Sequence, residues 1–118
     1  MVTVLSLGGS IVAPDAPDTV FLPAFEAMVR QWLAEDKERK LILVIGGGGP
    51  ARVYQNAYRT ILAARKDAPC QADNNQADWI GITATRLNAQ LVKAIFSDLC
   101  HDDVVYDPTA PIGFTDRF

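Results

Sequence analysis

The chain has 118 residues and 12.8 kDa, room for one domain. Hydrophobic residues make up 49% and charged residues 21%, a globular balance that excludes a disordered chain. Eleven Lys and Arg against fourteen Asp and Glu give a net charge of −3, which argues against a nucleic-acid binder held by phosphate neutralisation. No apolar run approaches the ~20 residues that cross a bilayer. The start, Met1-Val2-Thr3-Val4-Leu5, lacks the basic region and cleavage site of a signal peptide. A cytoplasmic setting is expected, with no membrane and no nucleic acid as partner. Cys70, Cys100 and His101 are too few for a four-ligand zinc site, so no metal site is expected and both thiols are read as reduced.

The first element is a run of β-branched and aliphatic residues over 2–7 that stops at Gly8-Gly9. A helical pattern follows, with Phe21, Phe25, Met28, Val29, Trp32 and Leu33 on one face and Arg30, Glu35, Asp36 and Lys37 towards solvent. Asp18 or Thr19 can cap it, and Pro23 is tolerable because it falls in the first turn. Residues 41–45, Leu-Ile-Leu-Val-Ile, form a second apolar run that stops at four consecutive glycines, 46–49. Short unalternating runs ending in glycine read as strands buried on both faces. Pro50 opens the next helix, where a missing N–H costs nothing. Residues 67–76 are polar, with Pro69 and Asp73-Asn74-Asn75, and read as a loop. From Asp78 a long helix carries Ile80, Ala84, Leu87, Leu91, Ile95 and Leu99 at steps of three or four. A third strand is expected over 103–106, centred on Val104 and Val105, and after it a loop-like tail with Phe114 and Phe118 exposed.

The order β-α-β-α-α-β predicts an α/β fold: a three-layer αβα arrangement with parallel strands over 2–7, 41–45 and 103–106. Three strands leave two open edges. The expectation is therefore an incomplete fold, with 1–118 forming the N-terminal part of a larger domain. A sheet this small, and a helix from Asp78 with apolar residues on more than one side (Trp79, Ile82, Val92, Phe96), also predict self-association.

The chemistry is expected at the glycines. Each cluster ends a buried strand, where open α/β sheets bind ligands, and glycine lets backbone approach a ligand closely. Helix starts add free N–H groups and a positive dipole end. Gly46 to Gly49 followed by Pro50-Ala51-Arg52 is a candidate phosphate cradle with a guanidinium beside it. A tight turn alone would account for either cluster singly; two at equivalent strand ends favour phosphate. Neither is a P-loop, since no Gly-Lys-Ser/Thr follows, and the second does not fit GxGxxG because its sixth position is Ala51. Asp78 can accept from a sugar hydroxyl or simply cap its helix. His101-Asp102-Asp103 reads as a solvated turn.

Three motifs occur in one order: Leu7-Gly8-Gly9-Ser10-Ile11-Val12, then Leu43-Val44-Ile45-Gly46-Gly47-Gly48-Gly49-Pro50-Ala51-Arg52-Val53-Tyr54, then Asp78-Trp79-Ile80-Gly81-Ile82-Thr83-Ala84-Thr85-Arg86-Leu87-Asn88-Ala89-Gln90-Leu91. Together they resemble the amino acid kinase family over residues 1–100, and within it the archaeal type of uridylate (UMP) kinase. The resemblance implies a cytoplasmic phosphotransferase that converts UMP and ATP to UDP and ADP, with ATP and Mg2+ entering as a substrate complex. It implies ATP contacts at Gly9, Ser10, Gly48 and Arg52, and UMP contacts at Gly47 and Asp78. Arg52 is the one residue with a candidate catalytic role, and Arg86 and Asn88 are expected to be structural or at a subunit contact. Dimers that assemble into larger rings, including hexamers, are implied as well.

The sequence also departs from that pattern. Ser6 stands where bacterial members carry a lysine, and Gly49 where a basic residue often follows three glycines. The half of the family's fold that supplies most ATP contacts and a catalytic cation is not among these residues. Two alternatives stay open: a non-catalytic small-molecule binding module of the same fold, and a family member acting on an acyl or carbamoyl group.

Overall fold

The computed structural model describes residues 1–65, 72–101, 103–106, 109 and 118. Cys70, residues 67–71 of the expected loop, Asp102 and most of the tail, Phe114 included, lie outside the described residues. The elements run β1 (Val2–Leu7), α1 (Gly9–Val12), α2 (Phe21–Glu35), β2 (Lys40–Ile45), α3 (Gly48–Ala63) and α4 (Asn74–Ile95). Among the described residues no helix is long and apolar enough to cross a membrane.

β1 and β2 pair in parallel, from Val2 opposite Lys40 to Leu7 opposite Ile45. A parallel pair needs a long crossover, here supplied by α1 and α2. This register has a functional consequence. Both strands run out at the same end of the sheet, so Gly8-Gly9 and Gly46-Gly47 emerge side by side.

One face of the pair is covered. Leu7 and Leu41 pack with Leu22, Phe25, Val29 and Leu33 of α2 and with Val92 of α4. Steps of three and four along α2 place these four residues on one stripe. The expected face is thus right in outline, but Leu22 belongs to it, and Met28 is exposed. The α2 start is held by Asp18, whose Oδ1 accepts from the Val20 and Phe21 amides at 3.0 and 2.9 Å. Phe96, just past α4, meets Phe25 edge-on at 6.4 Å and stacks on Phe118 at 4.4 Å between ring centroids. Phe118 is therefore buried, contrary to the expectation of an exposed ring. The apolar ring gains more from Phe96 than from water.

No described helix covers the other face. Val2, Val4, Ile42 and Val44 are exposed, Val4 by 63%. Burial on both faces, expected from the unalternating runs, fails because every described helix that meets the sheet packs on the Leu41 side. The protein is an α/β fold in which one helical layer and a parallel pair are in place, an incomplete αβα arrangement.

Two further expectations are corrected. Residues 103–106 form no strand. Tyr106 instead lies against Arg86 of α4, 4.3 Å from ring centroid to guanidinium carbon, which draws the segment over the helix and away from a strand position. The loop reading also fails for residues 74–76, which open α4. Asp73 caps that helix by accepting from the Asn75 amide at 2.9 Å, so Asp78 sits inside the helix and is not its cap. The aspartate-asparagine cluster was a helix start rather than a turn, the usual preference of Asp at that position. On α4, Leu87 is 68% exposed and outside the core stripe.

The far end of α4 is tied to α2 by Arg30. Its guanidinium bonds both Asp98 carboxylate oxygens at 2.8 Å, Glu26 at 2.8 Å and the Ile95 carbonyl at 3.2 Å. The hydrogen bonds that Arg30 donates to Asp98, and then to Glu26, raise its pKa, and the same Arg30 bond holds the Asp98 carboxyl below its ordinary range. A carboxylate with a depressed folded-state pKa stabilises fully above its unfolded value, about 3.9, and that contribution is lost as pH falls through the folded value. Asp98→Asn should therefore lower the melting temperature at neutral pH, with the gap to the parent closing as the pH drops below about 4. Thermal melts across that interval check it; a gap independent of pH would mean that the carboxylate charge contributes nothing.

Candidate functional site

The site begins with backbone against backbone. A Cβ placed on Gly9 would sit 2.5 Å from the Gly46 carbonyl carbon and 2.6 Å from the Gly47 nitrogen, and one on Gly46 would lie 2.7 Å from the Gly9 nitrogen. Each side of this contact requires glycine for space. Gly48 adds a conformational requirement, since its φ of +63° is the left-handed region that glycine enters without strain. The Gly49 amide donates to the Ala13 carbonyl at 2.9 Å, joining the α3 start to the end of α1.

Asn88 closes the arrangement from α4. It is 3% exposed, and its Nδ2 donates to the carbonyls of Gly46 at 3.0 Å and Gly47 at 2.9 Å. Asparagine is a poor interior helix residue because its amide competes for backbone partners. Here the partners are on another element. That mid-helix asparagine was the available signal, but only the fold shows which carbonyls it meets.

Beside the turn, β2, α3, α4 and residues 103–106 enclose a cleft of about 1330 Å3. Gly47, Gly48, Arg52 and Asp78 all line it, although they come from two separate motifs. Gly9 and Ser10 do not: Gly9 is buried in the glycine contact and Ser10 is exposed outside the lining. Gln55 and Thr85 also line the cleft, and nothing in their spacing singles them out. Gln55 Nε2 donates to the Ala77 carbonyl at 2.9 Å, fixing α3 against α4 beside Asp78. Gly81 makes room for it, since a Cβ there would lie 2.7 Å from that nitrogen. Thr85 donates to the Gly81 carbonyl at 3.0 Å.

The electrostatics favour an anion at the start of α3. No acidic residue occupies its first turn, so nothing on the helix itself neutralises the positive end of the dipole. Arg52, the fifth residue of α3, adds a cation to this field. The cradle is narrower than the glycine count implies, because Gly49 donates to Ala13 and Pro50 has no N–H. Asp78, exposed in the cleft on α4, is an acceptor at the other side. Among the described residues no group of three or more His, Cys, Asp or Glu side chains comes together.

The two glycine turns thus lie at the carboxyl ends of parallel strands, beside a cleft. Residues 1–113 match the model of the amino acid kinase family, and the chain is a member of that family. It is similar to the uridylate kinase of Methanospirillum hungatei, with 34% identity over 106 residues, 90% of this chain and 39% of that protein. The uridylate kinase of Thermococcus onnurineus is 36% identical over 88% of this chain and 41% of its own length. That of Methanosarcina mazei is 39% identical over 86% and 37%. The chain thus spans about two fifths of the length of the curated relatives it matches.

The glycine contact makes an unequal pair of substitutions. Gly9→Ala forces the two turns apart and should destabilise by about 3 kcal/mol, the upper range for overpacking. Gly8→Ala should stay within about 1 kcal/mol of the parent, because a Cβ there meets nothing nearer than Ile11 Cδ1 at 3.8 Å. Urea denaturation of both variants tests this, and equal losses would refute the packing argument.

Proposed function

We propose that the chain carries the acceptor-binding part of an ATP-dependent nucleoside monophosphate kinase, with UMP the acceptor and ATP with Mg2+ the donor. The observation that carries this reading is the convergence of Gly47, Gly48, Arg52 and Asp78 on one cleft. Family membership supports phosphotransfer, and the relatives named as uridylate kinases support the choice of UMP.

In such a reaction an oxygen of the acceptor's phosphate attacks the γ-phosphorus of ATP in line. The new O–P bond forms as the bond to the β-phosphate oxygen breaks, and ADP leaves with that electron pair. Catalysis is positioning plus stabilisation of the spread negative charge. The Gly47 and Gly48 backbone would receive phosphate oxygens. Arg52 would supply a fork of donors suited to charge that moves during transfer. Asp78 would accept from a ribose hydroxyl of the acceptor. Gly9 and Ser10 would face the donor triphosphate only from across the glycine contact. The metal ion would arrive on the nucleotide's own phosphates. We further propose self-association, as a dimer or larger ring, through exposed apolar residues of α3 and α4 (Val53, Tyr54, Ile61, Trp79, Ile82 and Leu87); Val92 and Phe96, also expected at such a contact, are buried in the core instead.

Arg52→Ala should weaken UMP binding by about 1.5–3 kcal/mol, the range for a hydrogen bond to a charged group. Uridine, which lacks the phosphate, should be unaffected. Equal losses for both ligands would assign Arg52 to loop support instead.

Turnover is a separate matter, because both nucleotides must be held in register. The described part leaves the cleft open, and Arg52 is the α3 cation that lines it. Residues 1–118 alone should release no ADP from ATP in a coupled assay with UMP and Mg2+, whereas a longer natural polypeptide containing them should. Sustained turnover by the short chain would overturn the assignment of this part as acceptor-binding only; inactivity of both would favour a binding module.

A further inference from the structure

We propose that Asn88 is a positioning residue for the cleft: its carboxamide holds the Gly46 and Gly47 carbonyls on one side of the turn and so presents the Gly47 and Gly48 amides to phosphate on the other. This inference rests on the reading of the cleft as a nucleotide site.

The geometry follows from the planar trans peptide, in which a carbonyl and the next residue's N–H point in opposite directions. Anchoring the Gly46 carbonyl therefore aims the Gly47 amide away from Asn88, and anchoring the Gly47 carbonyl does the same for Gly48. Both amide nitrogens lie beside Gly9, at the seam between the two turns, where a Gly9 Cβ would collide with them, and Gly47 and Gly48 line the cleft. Gly47 is right-handed helical, with φ −82° and ψ −34°, and Gly48 is left-handed. That succession forms a concave nest of successive N–H groups, a known anion-binding backbone shape. Gly49's amide is committed to Ala13, which leaves the Gly47 and Gly48 amides for a ligand.

A turn of four consecutive glycines cannot hold such a shape unaided. Glycine loses more conformational freedom on ordering than any other residue, and a peptide flip would turn an amide into a carbonyl facing phosphate. The described side chain that hydrogen-bonds this turn is Asn88, more than forty residues away in sequence. Both protons of its amide are used, and among the described residues it is the buried polar side chain of the fold.

The test uses the 15N-labelled chain, with Asn88→Leu and Asn88→Asp, which keep the side-chain size and remove the donor. Inorganic tripolyphosphate probes the nest, and UMP and uridine probe the nucleotide reading. In the parent, tripolyphosphate should shift the Gly47 and Gly48 amide resonances. In folded variants that retain the parent spectrum over β1 and α2, affinity for tripolyphosphate and UMP should fall at least fivefold, with uridine unchanged. A structural tie alone would move all ligands together or none, and either result overturns the proposal. If both variants unfold, the parent decides. Slower exchange of the Asn88 side-chain amide protons on adding tripolyphosphate supports the clamp, and no response at Gly47, Gly48 or Asn88 refutes it. If tripolyphosphate behaves as expected but UMP binds no better than uridine, the nucleotide reading falls and the role of Asn88 stands.

Discussion

The direct contact between two glycine turns is the constraint on which the rest of the molecule depends. Gly9 and Gly46 approach so closely that neither admits a Cβ. That approach needs the two strands to end at the same level, which the Leu7–Ile45 register provides. The register in turn needs a crossover long enough to bring β2 back parallel to β1. The α2 stripe of Leu22, Phe25, Val29 and Leu33 covers the crossover's return by packing on Leu7 and Leu41. The core thus sets the strand ends, the strand ends set the glycine contact, and the contact sets the start of α3 beside the cleft.

The helical pair completes the site from the other side. Asn88 reaches the turn, and Gln55 ties α3 to α4 at the level of Asp78. Gly81 makes the second tie spatially possible. Each of these hydrogen bonds joins two elements far apart in sequence, with a net contribution of about 0.5–1.5 kcal/mol. On the opposite face of the sheet Val4 and Val44 are exposed, and none of the described helices covers them.

Much was legible beforehand. The two apolar runs, the glycines that stop them and the two helical stripes follow from residue type and spacing, because strand and helix periodicities are local properties. The family pattern was readable for the same reason, since its motifs are contiguous. Errors arose where local signals competed. Asp73-Asn74-Asn75 has turn chemistry and cap chemistry in the same residues, and the amphipathic pattern downstream decided for a helix start. The Val104-Val105 pair has strand propensity, but Tyr106 finds Arg86 on α4. Phe118 seemed dispensable to a core until Phe96 offered it a stacking face.

The sequence by itself determined the two strands, the helices that follow them and their parallel order. Tertiary structure alone decided which of the candidate residues share a cleft. Gly47, Gly48, Arg52 and Asp78 do, while Gly9 and Ser10 lie outside its lining and Gly9 serves as the surface against which the second turn closes. It also decided that Asn88, a mid-helix asparagine in the sequence, ends beneath two glycine carbonyls. The reason is physical. Periodicity and propensity act over a few residues, whereas a hydrogen bond across more than forty residues exists only once packing has brought two elements into contact.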